Sequence, residues 1–169
     1  MPFQSRISRS WLTNARVWYL ISARDQVNGR LADYIVGLLT GKAKPTYHPM
    51  SDLGDHVVVT NCKYISMLGE RTWETKIYRH HTGYPGGLRE IRARDIWKED
   101  PCQILWRSVR GKMPKTRTRN RNMKRLHLFE EDDHPFASRI YGKLIAPHPM
   151  PKRLDEYTPE DIKNYPKLF

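Results

Sequence analysis

Val17-Trp-Tyr-Leu-Ile21, then Asn28-Gly-Arg-Leu-Ala-Asp-Tyr-Ile-Val-Gly-Leu-Leu-Thr-Gly41, then His56-Val-Val-Val-Thr60: the order of these three segments decides the fold. The first is a short apolar run rich in strand formers and reads as a buried strand. In the second, Leu31, Tyr34, Ile35, Leu38 and Leu39 recur at i, i+3, i+4, i+7 and i+8. That is one apolar face of a helix, and Gly41 stops it. Ser51-Asp-Leu-Gly-Asp55 has turn chemistry, and the three valines behind it belong to a second buried strand. Strand, helix and strand within about 45 residues predict a right-handed crossover joining a parallel pair, the unit of an α/β fold.

Downstream of this unit, Thr75-Lys-Ile-Tyr-Arg79 reads as a third strand, leading into the glycine-rich loop His81-Thr-Gly-Tyr-Pro-Gly-Gly87. Ala93 to Lys98 predicts a short helix. Asp100-Pro101 opens another, with Asp as N-cap and Pro at the first helical position. Ile104, Leu105, Ser108 and Val109 form its buried face, and Gly111 ends it. The basic stretch after Met113-Pro114 is a further helix candidate, and Arg125-Leu-His-Leu-Phe129 reads as a fourth short strand. From Glu130 onward six of forty residues are proline, which predicts an extended tail poor in core contacts. Within it, Thr158-Pro-Glu-Asp-Ile-Lys163 has the pattern of a capped helix start.

A chain of 169 residues suits one compact domain with tails. Its N-terminus is a basic extension and its end a proline-rich tail, with the core between them. Apolar residues make up 38% of the chain, enough for a core and too many for wholesale disorder. No apolar run reaches the roughly eighteen residues needed to span a bilayer. Cys62 and Cys102 make neither a disulfide framework nor a zinc pattern. They fit a reducing compartment and read as small buried hydrophobes.

Charge is the strongest functional signal. Between Pro101 and Phe129 stand nine lysines and arginines and no acid, before the abrupt Glu130-Glu131-Asp132-Asp133. Arg107, Arg110, Lys112, Lys115, Arg117, Arg119, Arg121, Lys124 and Arg125 repel one another, and an external polyanion compensates that repulsion. The competing explanation, a solvated basic face neutralised by acids elsewhere, lacks interleaved carboxylates nearby. The overall charge of +12 is uneven: residues 1–129 hold 24 basic and 10 acidic residues, while 130–169 hold 6 and 8. Lys42 and Lys44 with Tyr47 and His48, and Arg89, Arg92 and Arg94 after the glycine loop, add two further basic patches. Tyr47, Tyr84 and His81 offer rings for stacking on unpaired bases, and arginines hold phosphates through forked hydrogen bonds. Three separated patches suit a structured RNA wrapped over several surfaces.

Catalytic readings are weaker. The loop at 83–87 lacks the G-x-G-x-x-G and P-loop spacings, which argues against a nucleotide cofactor. Gly83, Gly86 and Gly87 instead clear side chains where backbone N–H groups with Thr82 can meet phosphates. His80 and His81, adjacent on a strand, point to opposite faces and cannot easily share a metal ion. Asp52 and Asp55 fit turn caps better than an acid/base pair. Two alternatives stay open: an α/β enzyme acting on RNA or a nucleotide through the His81 loop, and a free RNA-binding regulator outside any larger particle. The first 24 residues carry four arginines, four serines and no acid. That composition fits a mitochondrial targeting segment and equally a basic RNA-binding arm.

Gly41-Lys-Ala-Lys-Pro-Thr-Tyr47, Asp52-Leu-Gly-Asp-His-Val-Val-Val-Thr-Asn61, His81-Thr-Gly-Tyr-Pro-Gly-Gly-Leu88 and Val109-Arg-Gly-Lys-Met-Pro-Lys115 stand in an order and spacing that resembles the large-subunit ribosomal protein L-thirteen family. The resemblance covers about residues 15–136 and rests most specifically on His-Thr-Gly-Tyr-Pro-Gly-Gly. It implies a three-layer α/β/α domain around a four-stranded mixed, mainly parallel sheet, with extended N- and C-terminal tails. It also implies binding to large-subunit ribosomal RNA beside neighbouring ribosomal proteins, a part in subunit assembly, and no catalysis, cofactor or small-molecule substrate. By position it implies RNA contacts at Lys42, Lys44, His81 to Gly87, and Lys112 to Lys115 with the basic residues beyond. After Lys115 the chain departs from the family pattern, with Thr116-Arg-Thr-Arg-Asn-Arg121 in place of an Asn-x-Leu-Gly-Arg-like stretch. Ala15-Arg-Val-Trp-Tyr-Leu20 with its extension, and Pro151-Lys-Arg-Leu-Asp-Glu-Tyr157, resemble the mitochondrial branch and point to the mitochondrial matrix.

Overall fold

A computed structural model describes residues 15–69, 71–146, 149–150 and 157–160. The N-terminal extension 1–14 and the part of the expected tail helix beyond Glu160 lie outside the described residues. In chain order the elements are β1 (Trp18–Ser22), α1 (Asn28–Thr40), β2 (His56–Thr60), a 3-10 turn (Cys62–Tyr64), α2 (Thr72–Thr75), β3 (Ile77–His81), β4 (Leu88–Arg92), α3 (Ala93–Glu99), α4 (Cys102–Lys112), α5 (Arg119–Met123), β5 (Leu126–Leu128), a 3-10 turn (Ala137–Arg139) and β6 (Gly142–Leu144).

The strand–helix–strand unit folds as its pattern predicts. β1 and β2 pair in parallel, Trp18 opposite His56 through Ser22 opposite Thr60. β5 and β6 flank them, also in parallel, giving a four-stranded sheet in the order β5-β2-β1-β6 with helices packed around it in an α/β/α arrangement. Strand alternation sends Ile21, Val57, Val59 and Leu126 to the face that packs on Leu31, Ile35 and Leu39 of α1 and on Leu105 and Val109 of α4. Val57, Val58 and Val59 are all completely buried. α1 ends where Gly41 turns left-handed at φ 79°. The Gly41 N–H then donates to Leu38 O and the Lys42 N–H to Gly37 O, closing the last turn. At the start of α4, Asp100 Oδ1 accepts the Cys102 N–H at 2.9 Å, as its N-cap reading requires. Both cysteines are free; Cys62 is buried and Cys102 half-buried. A hydrogen bond between their side chains raises the Cys62 thiol above its ordinary range and lowers Cys102.

Two strands are placed differently from expectation. The third, Ile77–His81, does not join the sheet; it pairs antiparallel with Leu88–Arg92 as a separate hairpin. Arg79, His80 and His81 are exposed, so this strand has no apolar set to bury in a parallel sheet, and the short connection 82–87 suits a hairpin. The sheet position beside β1 is filled by Gly142–Leu144, from the tail expected to be poor in core contacts. Leu144 packs on the main core and Ala146 is buried.

The opposite face of the sheet carries a tier of rings. Trp18 stacks on His56 at 4.2 Å between centroids and 2° between planes, and on His127 at 5.2 Å. Phe136 tilts against Trp18 and His127 at 5.0 and 4.7 Å. Burial lowers the pKa of both histidines, and the nearby charges of His127, Arg125 and Arg16 lower His56 further. A histidine depressed in the folded state gives stability that is complete above the unfolded pKa of about 6.5 and lost as pH falls from there to the folded value. Thermal melts are therefore expected to show Tm falling as pH drops from about 7.5 to about 5.5. A His127→Phe variant, which keeps the stacking and removes one titrating group, is expected to reduce that slope.

Candidate nucleic-acid interface

The β3–β4 hairpin presents the glycine loop to solvent. Thr82 N–H donates to Gly87 O at 3.1 Å and Gly87 N–H to Tyr84 O at 2.9 Å, which draws the loop into a tight turn. Gly83 and Gly86 hold φ of 94° and 73°, conformations that disfavour any side chain. At Gly87 a Cβ would lie 2.1 Å from Thr82 Oγ1, so this position must be bare. His81 Nδ1 accepts the Gly83 N–H at 2.9 Å, which leaves Nε2 to carry the ring proton and face outward as a donor. His81, Thr82 and Tyr84 are exposed, Tyr84 at 76%. Among the described residues no group of three or more His, Cys, Asp and Glu side chains could hold a metal ion.

The basic run from 107 to 125 divides into two kinds of residue. Arg110, Lys115, Arg117, Arg121 and Lys124 are exposed, and none has a carboxylate within salt-bridge distance among the described residues. Arg119, half-buried, donates from Nη2 to Arg110 O, tying α5 to the end of α4. Lys112 reaches Asp33 Oδ2 at 2.5 Å and Gly29 O at 2.7 Å, which pins α4 to α1.

Arg125 corrects the sequence reading. Its side chain is 4% exposed and turns inward, with Nη2 at 2.6 Å from Asp52 Oδ1, 2.5 Å from Asn122 Oδ1 and 3.3 Å from Leu39 O. A guanidinium buried in that way is an internal strut, closed to RNA. Burial alone would raise the Asp52 carboxyl, but the hydrogen bond and charge of Arg125, aided by Arg16, hold it below its ordinary value. Lys44 is likewise drawn in, its Nζ 2.6 Å from Asp55 Oδ1, while Lys42 stays exposed and Tyr47 is 36% exposed. Asp55 Oδ1 also accepts the Val17 N–H at 2.9 Å. The two carboxylates read as turn caps thus anchor cations across the fold.

Sequence reasoning missed a cleft. Between the hairpin and the outer face of α4 lies a space of about 960 Å³, walled by Tyr78, His80, Arg89 and Ile91 on one side and Trp106, Arg107 and Arg110 on the other, with Arg119 near its end. Cross-strand register accounts for the first wall, since Tyr78 pairs with Ile91 and His80 with Arg89. The second is the face of α4 opposite its buried Ile104, Leu105 and Val109, so helical periodicity at 102, 103, 106, 107 and 110 was the available signal.

The sequence matches known proteins over most of its length. A family profile described as Ribosomal protein L13 covers residues 16–135. The large ribosomal subunit protein uL13 of Rubrobacter xylanophilus is 48% identical over 72% of this chain and 85% of its own length. Its counterpart in Clostridioides difficile is 43% identical over 73% of this chain and 85% of its own. The large ribosomal subunit protein uL13m of Drosophila melanogaster is 35% identical over the whole of this chain and 95% of its own length. The match across residues 16–135, with these identities over more than two thirds of the chain, shows that the chain belongs to the ribosomal protein L13 family.

Proposed function

We propose that this protein is a structural constituent of the mitochondrial large ribosomal subunit, where it binds and organises large-subunit ribosomal RNA during assembly and translation. The observation that carries the reading is the extent of similarity. The two bacterial relatives cover less than three quarters of the chain, whereas the fly protein, whose name bears the suffix m, covers all of it. The alignment to that form thus runs past the core shared with the bacterial proteins, which supports the mitochondrial reading. The family is one of non-catalytic ribosomal proteins, and the exposed cations of Lys42, Arg89, Arg110, Lys115, Arg117, Arg121 and Lys124 neutralise phosphates where RNA segments converge. Amides and rings of the 81–87 loop add contacts to backbone and unpaired bases. The extension 1–14 addresses or anchors the chain, the core 15–136 carries the RNA surface, and the near-neutral remainder meets neighbouring ribosomal proteins. Among the described residues no helix is long and apolar enough to cross a membrane.

Sedimentation of organelle lysates tests the placement: the protein is expected almost wholly in the mitochondrial large-subunit fraction, and recovery free of any ribosomal particle would overturn it. Reversing Arg117, Arg121 and Lys124 to glutamate is expected to leave the thermal melt near wild type. The same variant should lower incorporation into that fraction and flatten the plot of log affinity against log salt by about 2 to 3 units. Unchanged incorporation would remove this segment from the interface.

A further inference from the structure

The cleft between the hairpin and α4 has a chemistry of its own. Its walls carry four guanidinium groups, Arg89, Arg107, Arg110 and Arg119, none within salt-bridge distance of a carboxylate among the described residues. The one acid lining it, Asp100, has its Oδ1 occupied by the backbone N–H that it caps. The cleft is therefore strongly cationic, its like charges carried on the hairpin, α4 and α5.

Between the cations lie flat apolar surfaces. Trp106 is 38% exposed and Ile91 44%. Arg110 lies with its guanidinium carbon 5.1 Å from the Trp106 ring, and Arg107 with its own 5.4 Å from the Tyr78 ring. Cation–ring pairs of this kind present a planar, partly desolvated surface next to a fixed positive charge. A ligand that uses both needs a flat aromatic body and an anionic backbone within a few ångströms of each other. Nucleotides combine those properties; an acidic peptide supplies only the charge. A closed duplex hides its base faces within its own stack, so the target must be unpaired.

We propose that this cleft holds an unstacked nucleotide of a single-stranded RNA segment, its base against Trp106 and Tyr78 and its phosphates among Arg89, Arg107, Arg110 and Arg119. The volume of about 960 Å³ lies at the upper end of the roughly 300–1,000 Å³ of small-ligand sites and admits one base with its flanking phosphates. This assignment rests on the RNA-binding reading and adds to it a site for a looped-out base, distinct from the exposed cations Lys115, Arg117, Arg121 and Lys124.

The test uses the full-length protein with a ten-nucleotide single-stranded RNA, its blunt duplex and an acidic peptide of equal charge. Tryptophan emission is compared between wild type and Trp106→Phe, which keeps a ring in place and isolates the Trp106 signal. The single strand is expected to quench Trp106 more than the duplex does. Trp106→Ala is expected to weaken single-strand binding about tenfold while leaving duplex binding unchanged. Trp106→Leu, which removes the ring but keeps an apolar side chain, serves as a second variant with the same expected selectivity, should the alanine variant fold poorly. Equal binding of strand and duplex, no Trp106 quenching, or stronger quenching by the peptide would each overturn the proposal. If the single strand binds but loses affinity only on reversal of Arg117, Arg121 and Lys124, the cleft assignment fails and the wider RNA reading stands. Failure of every RNA to bind wild type would remove both.

Discussion

Alanine at Gly54 is expected to destabilise the protein by at least about 3 kcal/mol, among the larger effects open to a single methyl group. A Cβ at this position would lie 1.8 Å from the carbonyl oxygen of Leu39, 2.7 Å from its carbon and 2.8 Å from Arg125 Nη2. The first two atoms are backbone in the last turn of α1 and cannot step aside as a side chain can. The turn before β2 lies directly against the helix end, where Asp55 N–H donates to Leu38 O at 3.2 Å. Relieving the clash would separate the first helix from the strand it leads to. For a chain of this size, about 3 kcal/mol corresponds to a fall of roughly 6–12 °C in Tm. Gly111 supplies the control: a Cβ there meets nothing within 4 Å and φ is ordinary, so Gly111→Ala should be neutral or slightly stabilising. Equal losses from the two variants in urea melts would contradict the close approach at Gly54.

The second large effect concerns Asp52. Removing its carboxylate by Asp52→Ala leaves the Arg125 guanidinium buried at 4% exposure without its counter-charge, an arrangement that costs about 3–5 kcal/mol. Leu39 O and Asn122 Oδ1 stay within hydrogen-bond distance but carry no net charge to balance it. Combining Asp52→Ala with Arg125→Met is expected to recover much of the loss, because an apolar side chain replaces the stranded charge. The sign of the pH dependence follows from the lowered Asp52 pKa. Its contribution is present above the ordinary carboxylate value near 4 and is lost as pH falls through the folded value. The gap in Tm between wild type and Asp52→Ala should therefore narrow only in strong acid, well below the range in which His56 and His127 act. A gap that closed near pH 6 would assign the effect to the histidines instead.

Where burial and periodicity alone decided the structure, the sequence was readable. The apolar, strand-forming runs at 17–21 and 56–60, and the apolar stripe from Leu31 to Leu39, placed β1, α1 and β2 within a residue or two. The Asp100 cap and the Gly41 stop were legible because each acts through its own neighbours in the chain. Gly142-Lys-Leu144 carries no strand pattern of its own; the open edge of β1 makes it a strand, and that edge lies over a hundred residues away. The hairpin was missed for a similar reason. Ile77–His81 looked like a strand, but its mate Leu88–Arg92 is exposed throughout and shows no buried face.

For the candidate site, charge density was legible and its local disposition was not. Nothing in Arg125 or Lys112 separates them from Arg121 or Lys124. Their partners are Asp52 and Asp33, the latter 79 positions from Lys112. Two residues of equal charge in one run therefore do opposite work, one facing solvent and the other closing a gap in the core. The cleft escaped notice because it needs the hairpin register and the outer face of α4 together.

The late position of β6 shapes how the polypeptide matures. While the nascent chain grows, β1 emerges early, yet the strand that covers its outer edge appears only at residues 142–144. Until then a row of unpaired amides and carbonyls stands open beside a sheet rich in valine, a template for pairing with other unfinished chains. Any product truncated before Gly142 keeps that template for good. Such fragments should form aggregates and engage chaperones far more than the completed protein, even with every exposed cation from Lys42 to Lys124 intact.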